Sequence, residues 1–268
     1  MKNSKKYILI FAVLCFSACK KDQFNENPKS DSNKIDYSSV AYSLPGRQLT
    51  NVQIDSIAIM HNNFLIEVIS NYDLLTTNND SEMLSHFITI GINNFSLSAS
   101  GRLAFLDSSN NNNYQFVANH SDDADVIIIM DDAHLFLVNN PSCNFSDIQD
   151  FIDDEKTFAN SNIAGSDLVI ALAFLATFEK SSYLWMPFLK GGSGVGSAFL
   201  IDLEEANPGV AINWGDIVEA DGRAACGVLL RTWYMAGFGP LSWGSIVGAI
   251  GWGCAWGSGY AILSQLWE

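Results

Sequence analysis

Apolar residues between Ile54 and Ser70 recur with the spacing of an amphipathic helix. They fall at i, i+3, i+4, i+7, i+8 and i+11, on Ile57, Met60, His61, Phe64, Leu65 and Val68. This spacing places all six on one helix face, and Asp55 or Ser56 is expected to cap the helix. Because His61 lies within the apolar stripe, we interpret it as a hydrogen-bonded structural residue.

Several later stretches also have helical character. Further helices are predicted from Asp80 to Ile88, over Asp147 to Phe158 and over Asp167 to Trp185. The segment from Asp122 to Val138 stays open between two interpretations. Its run Val126 to Met130 is rich in β-branched residues and fits a buried strand, whereas the acids on both sides suit a capped helix.

From Trp214 onward the pattern predicts a helical hairpin. Asp216 to Ala236 forms one helix, Gly237 to Pro240 breaks it, and no charged side chain lies between Leu241 and Trp267. Small residues recur every fourth position in this last segment, which lets two helix backbones approach closely. The predicted helix-packing positions are Gly244, Ser245, Gly248, Ala249, Gly253 and Gly257.

Two interpretations of the segment 241–267 stay open. It contains six glycines between Gly244 and Gly259, and each costs about 1 kcal/mol of helix propensity relative to alanine. That loss must be offset either by packing in the protein's own core or by a bilayer. The segment is long enough to span a membrane, but Trp252 and Trp256 would then lie at mid-bilayer depth, away from the interfaces that tryptophan prefers.

These elements predict a mainly α fold, a helical bundle with a C-terminal glycine-rich helical hairpin. The expected organisation is a lipoprotein signal peptide (1–18), an acylated cysteine with a flexible tether (19–50), a mainly helical globular domain (51–190), a glycine-rich connector (191–213) and a glycine-rich apolar helical hairpin (214–268). With 48% hydrophobic residues in 268, the chain has ample material for a packed core.

The N-terminal segment predicts export and lipid attachment. Met1 to Lys6 is cationic, and Tyr7 to Phe16 is apolar but too short to span a bilayer as a mature helix. Ser17 and Ala18 then precede Cys19, the order expected of a lipobox. We therefore expect Cys19 to be acylated after removal of residues 1–18, and the protein to be lipid-anchored in the cell envelope, at the outer membrane.

Charge narrows the range of partners. The chain carries a formal net charge of -15, so it repels phosphate backbones and is not expected to bind nucleic acid. Anionic headgroups are poor electrostatic partners for the same reason. The expected partners are the membrane, through lipid on Cys19, and a protein or membrane surface that contacts 241–267.

Cys226 and Cys254 lie at equal distances from Pro240, at the centre of the predicted break. Antiparallel helices would therefore bring them to the same level, and small neighbouring residues would allow the close approach that a disulfide requires. A disulfide between them is one expectation. The other is a pair of reduced, buried cysteines, because spacing does not fix how each helix is rotated.

No sequence pattern indicates catalysis, a metal or a cofactor. The densest set of metal-ligand types runs from Asn119 to Asp125 and from Asp131 to His134, but it lacks the glycine and distal glutamate of an EF-hand. Solvated acids at the start of a helix explain it better. The glycine-rich stretch from Gly191 to Ser197 lacks the lysine of a phosphate-binding loop, so it is interpreted as a connector.

The lipobox, the helix around Met60-His61-Asn62 and the tail from Glu219 to Gly227 resemble uncharacterised Bacteroidota lipoproteins with a His-Asn helix and a Gly/Ala-rich C-terminal segment. The resemblance covers scattered patches and implies no particular activity. We expect a membrane-tethered surface or periplasmic lipoprotein, a non-enzymatic interaction protein. The alternative is a membrane-perturbing, bacteriocin-like effector that acts through the C-terminal hairpin.

Overall fold

Helices make up 84% of the part of the chain that the structure describes, and no strand occurs within that part. The structure is a computed structural model, and it describes residues 49–71, 113–121, 123–236 and 243–266. The predicted mainly α fold is therefore confirmed. Cys19 and the helix predicted from Asp80 to Ile88 lie outside the described residues.

Eight α-helices occur in these residues. They are α1 (Asn51–Asn71), α2 (Asn113–His120), α3 (Asp125–Asn139), α4 (Phe145–Asn162), α5 (Gly165–Trp185), α6 (Val195–Ala206), α7 (Trp214–Ala236) and α8 (Trp243–Leu266). A short 3-10 turn, Phe188–Lys190, lies between α5 and α6.

Helix α1 begins earlier than the predicted caps. The Thr50 hydroxyl accepts a hydrogen bond from the Gln53 backbone N–H at 3.3 Å, and the Gln53 side chain accepts one from the Thr50 N–H at 2.8 Å. This reciprocal pair is a capping box, so neither Asp55 nor Ser56 is the cap. Ser56 instead donates its hydroxyl hydrogen to the Val52 carbonyl, 2.7 Å away.

The segment from Asp122 to Val138, for which a strand and a helix were both open interpretations, forms the helix α3. Its buried residues are Val126, Ile129, Met130 and Ala133. They fall at i, i+3, i+4 and i+7, the spacing of one helix face. The β-branched residues of this segment are thus part of a helix. Their preference for strand over helix is small, and burial of one helix face outweighs it.

Helix α5 lies at the centre of the bundle, in contact with α1, α3, α4, α6 and α7. Among the described residues it is the one helix long and apolar enough to cross a membrane, yet 72% of its most apolar window is buried inside the protein. An apolar helix that is buried on nearly all sides is what the centre of a helical bundle requires.

Helices α7 and α8 form the predicted hairpin. A Cβ added at Gly253 would lie 2.5 Å from Cγ2 of Val228, and one at Gly257 would lie 2.9 Å from the carbonyl oxygen of Ala220. From Gly253 to Gly257 the contacts of α8 move back along α7, from Val228 to Ala220, so the two helices are antiparallel. Two of the predicted packing positions therefore face α7, where they allow close approach.

The other predicted packing positions, Gly244, Ser245, Gly248 and Ala249, lie within α8, and their surroundings are outside the described part of the structure. Helix α8 also packs against α1, where a Cβ at Gly251 would lie 3.1 Å from Cβ of Met60. Most of its described residues are buried. In the structure, α8 thus packs in the protein's own core.

The predicted glycine-rich connector 191–213 contains a helix, α6. Its glycines allow close packing: a Cβ at Gly192 would lie 2.2 Å from the Met186 carbonyl oxygen, and one at Gly196 would lie 2.5 Å from Trp185 Cε3. The prediction missed this helix because a high glycine content lowers helix propensity. Here the missing side chains let α6 start directly against the end of α5.

We predict that Gly257→Ala destabilises the protein by about 1–3 kcal/mol, because the added methyl group would push against the backbone of α7. Chemical denaturation followed by circular dichroism measures the change. Gly215→Ala is the matched control, since its Cβ would meet the exposed Asn213 side chain at 3.2 Å and Leu137 only at an ordinary van der Waals distance of 3.6 Å, with no backbone atom in the way. Equal stability of the two variants would contradict close packing of α7 on α8.

Candidate functional site

A buried carboxylate, Asp221 on α7, lies in the core with no exposed surface. The hydroxyl of Ser181 on α5 donates to its Oδ2 at 2.5 Å, and the indole N–H of Trp185 donates to the same oxygen at 3.3 Å. Ser258 on α8 donates its hydroxyl hydrogen to Oδ1. Three donors from two other helices thus stabilise the charge of one carboxylate.

His61 on α1 is the fourth partner of Asp221. Its Nε2 lies 3.1 Å from Oδ2 of Asp221, and both side chains are 0% exposed. The carboxylate oxygen lies off the N–H axis of the ring, so the contact is a close electrostatic one and not an aligned hydrogen bond. It is attractive when Nε2 carries a proton.

Asn62 fixes the other side of the His61 ring. The Asn62 Nδ2 donates to the carbonyl oxygen of Lys180 at 2.6 Å, which sets the orientation of its amide group. Its Oδ1 therefore accepts the hydrogen bond from His61 Nδ1, 2.9 Å away. The His-Asn pair links α1 both to Asp221 and to the backbone of α5.

These six residues form the Asp221 network: His61, Asn62, Ser181, Trp185, Asp221 and Ser258. It joins α1, α5, α7 and α8 at one point. The carboxylate, the imidazole ring and both serines have no solvent-exposed surface, so a substrate cannot reach them without opening the core. The contacts support the interpretation of His61 as structural, and they identify Asp221 as its charged partner.

Of the two expectations for Cys226 and Cys254, the structure has the pair of reduced, buried thiols and not the disulfide. The Cys226 thiol instead points to α5, where the carbonyl oxygen of Ile170 lies 3.4 Å away. Equal spacing about Pro240 sets the level of each cysteine along its helix but not the helix rotation. Burial raises the pKa of both thiols, which makes them unreactive.

The acidic side chains in and before α3 do not meet at one site. Asp123 accepts a hydrogen bond from the Asp125 backbone N–H at 3.0 Å, at the start of the helix. Asp131 accepts one from the Tyr114 hydroxyl at 2.9 Å. Within the described residues no group of three or more His, Cys, Asp or Glu side chains could hold a metal ion.

One residue of the segment around α3 pairs with another helix, since His134 Nδ1 lies 2.8 Å from Oε2 of Glu219 on α7. Another, Asp132, faces an acid: burial and, next, the charges of Asp132 and Asp154 raise the pKa of Glu155 on α4. The acids and histidines of this segment thus do not share one site.

A small cleft opens beside the His134–Glu219 pair, with a volume of about 200 Å³. Its lining residues are His134, Leu137, Val138, Pro141, Asn213, Trp214, Gly215, Asp216 and Glu219. Arg223 also pairs with Glu219, so the carboxylate has a partner on each oxygen. Nothing in the cleft resembles an activated nucleophile, and its polar groups are arranged for structure or for binding.

Among the residues that the structure describes, the most exposed large apolar side chains lie on the 3-10 turn between α5 and α6. Phe188 is 77% exposed and Leu189 is 97% exposed. We call these two residues the tip. Nearby, the half-exposed ring of Tyr183 packs edge-on against Phe145, with ring centroids 5.3 Å apart. The chain thus presents two adjacent large apolar side chains to solvent.

Sequence reasoning missed Asp221, Ser258 and the tip as functional or structural residues. One feature of the sequence could have indicated Asp221. It is an acid in a helix whose later turns are apolar, and the apolar stripe of another helix contains a histidine, His61, that needs a polar partner. A weaker feature could have indicated the tip, namely that two apolar residues lie between Pro187 and the glycine-rich stretch. Neither signal specifies a partner without the packing of the helices.

No protein-family model, no curated protein and no solved structure matches this chain.

We predict that His61→Leu destabilises the protein by about 1–3 kcal/mol, because it leaves buried polar atoms of Asp221 and Asn62 without their imidazole partner. This is more than the mild effect that the apolar stripe alone would suggest. Urea denaturation measures the loss, and Asn63→Ala, at an exposed position on the same helix, is the control and should change stability by less than about 0.5 kcal/mol. Combining His61→Leu with Asp221→Asn should cost less than the sum of the two single changes.

An additive double variant would show that the two side chains do not interact, contrary to the 3.1 Å contact between His61 and Asp221.

We predict that Cys226 and Cys254 resist alkylation in the folded protein and both react after unfolding without reductant. Mass spectrometry counts the modified thiols, and a pair that stays unmodified after unfolding would demonstrate a disulfide. The raised pKa values also predict a pH dependence. Their contribution to stability is complete below the unfolded value of 9.0 and is lost as the pH rises beyond it.

Proposed function

We propose that the protein is a lipid-anchored cell-envelope protein that acts by binding and not by catalysis. The lipobox order before Cys19 supports the anchor. The resemblance to Bacteroidota lipoproteins supports the same class, with the outer membrane as the proposed location. The single structural observation that carries the binding role is the tip, where two large apolar side chains lie exposed on one turn.

The distribution of titratable groups supports binding over catalysis. The Asp221 network is sealed in the core, and the carboxylate of Glu219 beside the cleft is already paired with His134 and Arg223. A catalytic group needs access to substrate and a free proton or electron pair. The exposed apolar tip has the opposite character, a surface that gains free energy when a partner covers it.

The alternative role, a membrane-perturbing effector, would require α8 to leave the core. Its Ser258 hydroxyl would have to leave the buried carboxylate of Asp221, and the close contacts of Gly253 and Gly257 with α7 would be lost. A buried carboxylate that loses a donor is destabilised. The packing of α8 therefore favours the tethered binding protein.

We predict that Cys19→Ala abolishes metabolic lipid labelling and moves the protein from the detergent phase to the aqueous phase. Cys15→Ser is the matched control, because Cys15 lies inside the predicted signal peptide and should leave labelling unchanged. Labelling that persists at the parental level in Cys19→Ala would refute the proposed anchor.

A further inference from the structure

The tip is held in its exposed position by a dense set of backbone hydrogen bonds. The N–H of Gly191 donates to the Phe188 carbonyl at 2.9 Å, and the N–H of Gly192 donates to the Pro187 carbonyl at 3.2 Å. Ser193 N–H donates to the Tyr183 carbonyl at 2.7 Å. Gly191, with φ of 91°, has a left-handed conformation that ends the turn. Phe188 and Leu189 therefore cannot fold back without breaking the turn.

The charge around the tip differs from that of the whole chain. The chain carries -15 overall, but no Asp or Glu occurs between Glu179 and Asp202. Lys190 follows the tip directly, and its ammonium donates to the Pro141 carbonyl at 3.3 Å. Burial raises the pKa of the nearby Cys143 thiol, on which Lys190 and Asp147 act in opposite directions, so Asp147 lies in the same neighbourhood. Its carboxylate is bound by the Asn144 backbone N–H at 2.8 Å, and the turn that carries the tip has no carboxylate of its own.

We propose that the tip enters the boundary between headgroups and acyl chains of the bilayer to which the protein is tethered. This rests on the proposed lipid anchor. Phe188 and Leu189 would be buried in the acyl boundary, with Lys190 beside the phosphate oxygens and Tyr183 at the interface. The occupant of this surface is a zwitterionic lipid membrane, because the negative charge of the whole chain opposes an anionic one.

Contact between the tip and lipid would set the orientation of the anchored protein on the membrane. A lipid on Cys19 would attach the chain at one point, 32 residues before Asn51, and would not by itself decide which face of the bundle meets the membrane. A rigid apolar turn would select the face of the bundle that meets the lipid.

The test uses the acylated protein isolated from membranes, carrying Leu189→Cys labelled with an environment-sensitive bimane dye. The native thiols described in the structure are buried, and peptide mapping selects protein that carries the dye at position 189 and not at Cys15 or Cys19. Vesicles of phosphatidylcholine and phosphatidylethanolamine are added with and without spin-labelled lipid. Val52→Cys is the matched control, since Val52 is 74% exposed on α1.

The proposal predicts blue-shifted emission and strong lipid quenching at position 189, and neither at position 52. Phe188→Asp in the labelled protein should abolish the shift, because a carboxylate would have to enter the acyl boundary. Replacing part of the lipid with phosphatidylglycerol should reduce the shift. A label at 189 that remains aqueous on all vesicles, or that shifts only when a second protein binds, overturns the proposal.

The mass of the isolated protein separates this proposal from the lipid anchor. Acylated Cys19 with an aqueous label at 189 refutes the tip and leaves the anchor. An unmodified Cys19 with a lipid-quenched label at 189 refutes the anchor and shows that the tip enters the bilayer by itself.

Discussion

The burial of one charged side chain, Asp221, is the constraint on which the described fold depends. A carboxylate in an apolar core is strongly destabilising unless polar partners surround it. Here the donors come from α5 and α8, and the imidazole ring comes from α1. The four helices must therefore meet in one register, since any shift along a helix axis would remove a partner from the carboxylate. This is how a polar group adds specificity to a bundle whose other core residues are apolar.

The same contact explains why a glycine-rich helix without charges packs inside the protein. Helix α8 has little intrinsic stability, and its glycines reduce the apolar area that it can bury. Close approach to α7 at Gly253 and Gly257 recovers van der Waals contact, and Ser258 adds a directed bond to Asp221. Together these two features distinguish a core helix from a membrane-spanning one of similar composition. Apolarity alone cannot, as the buried helix α5 also shows.

The sequence predicted the helical class, the helix α1 apart from its start, and the hairpin, because these depend on local periodicity and on breaks at glycine and proline. It predicted that His61 would be buried, but it could not identify Asp221 as the partner. The two residues lie on helices far apart in the chain, and their meeting depends on rotation about each helix axis. The same unknown rotation left a Cys226–Cys254 disulfide and a reduced pair both open, and the structure directs the Cys226 thiol to Ile170. The exposure of Phe188 and Leu189 was also beyond the sequence, since an apolar pair is more often buried.

Native-state hydrogen exchange tests the central claim most directly, because it reports whether α8 opens with the rest of the core or by itself. Amides of α1, α5, α7 and α8 around the Asp221 network should exchange at one common slow rate in water, without membranes. In Asp221→Asn all four helices should lose protection together. Fast exchange of the α8 amides while α1, α5 and α7 stay protected would contradict the account, because α8 would then be only loosely associated with the core.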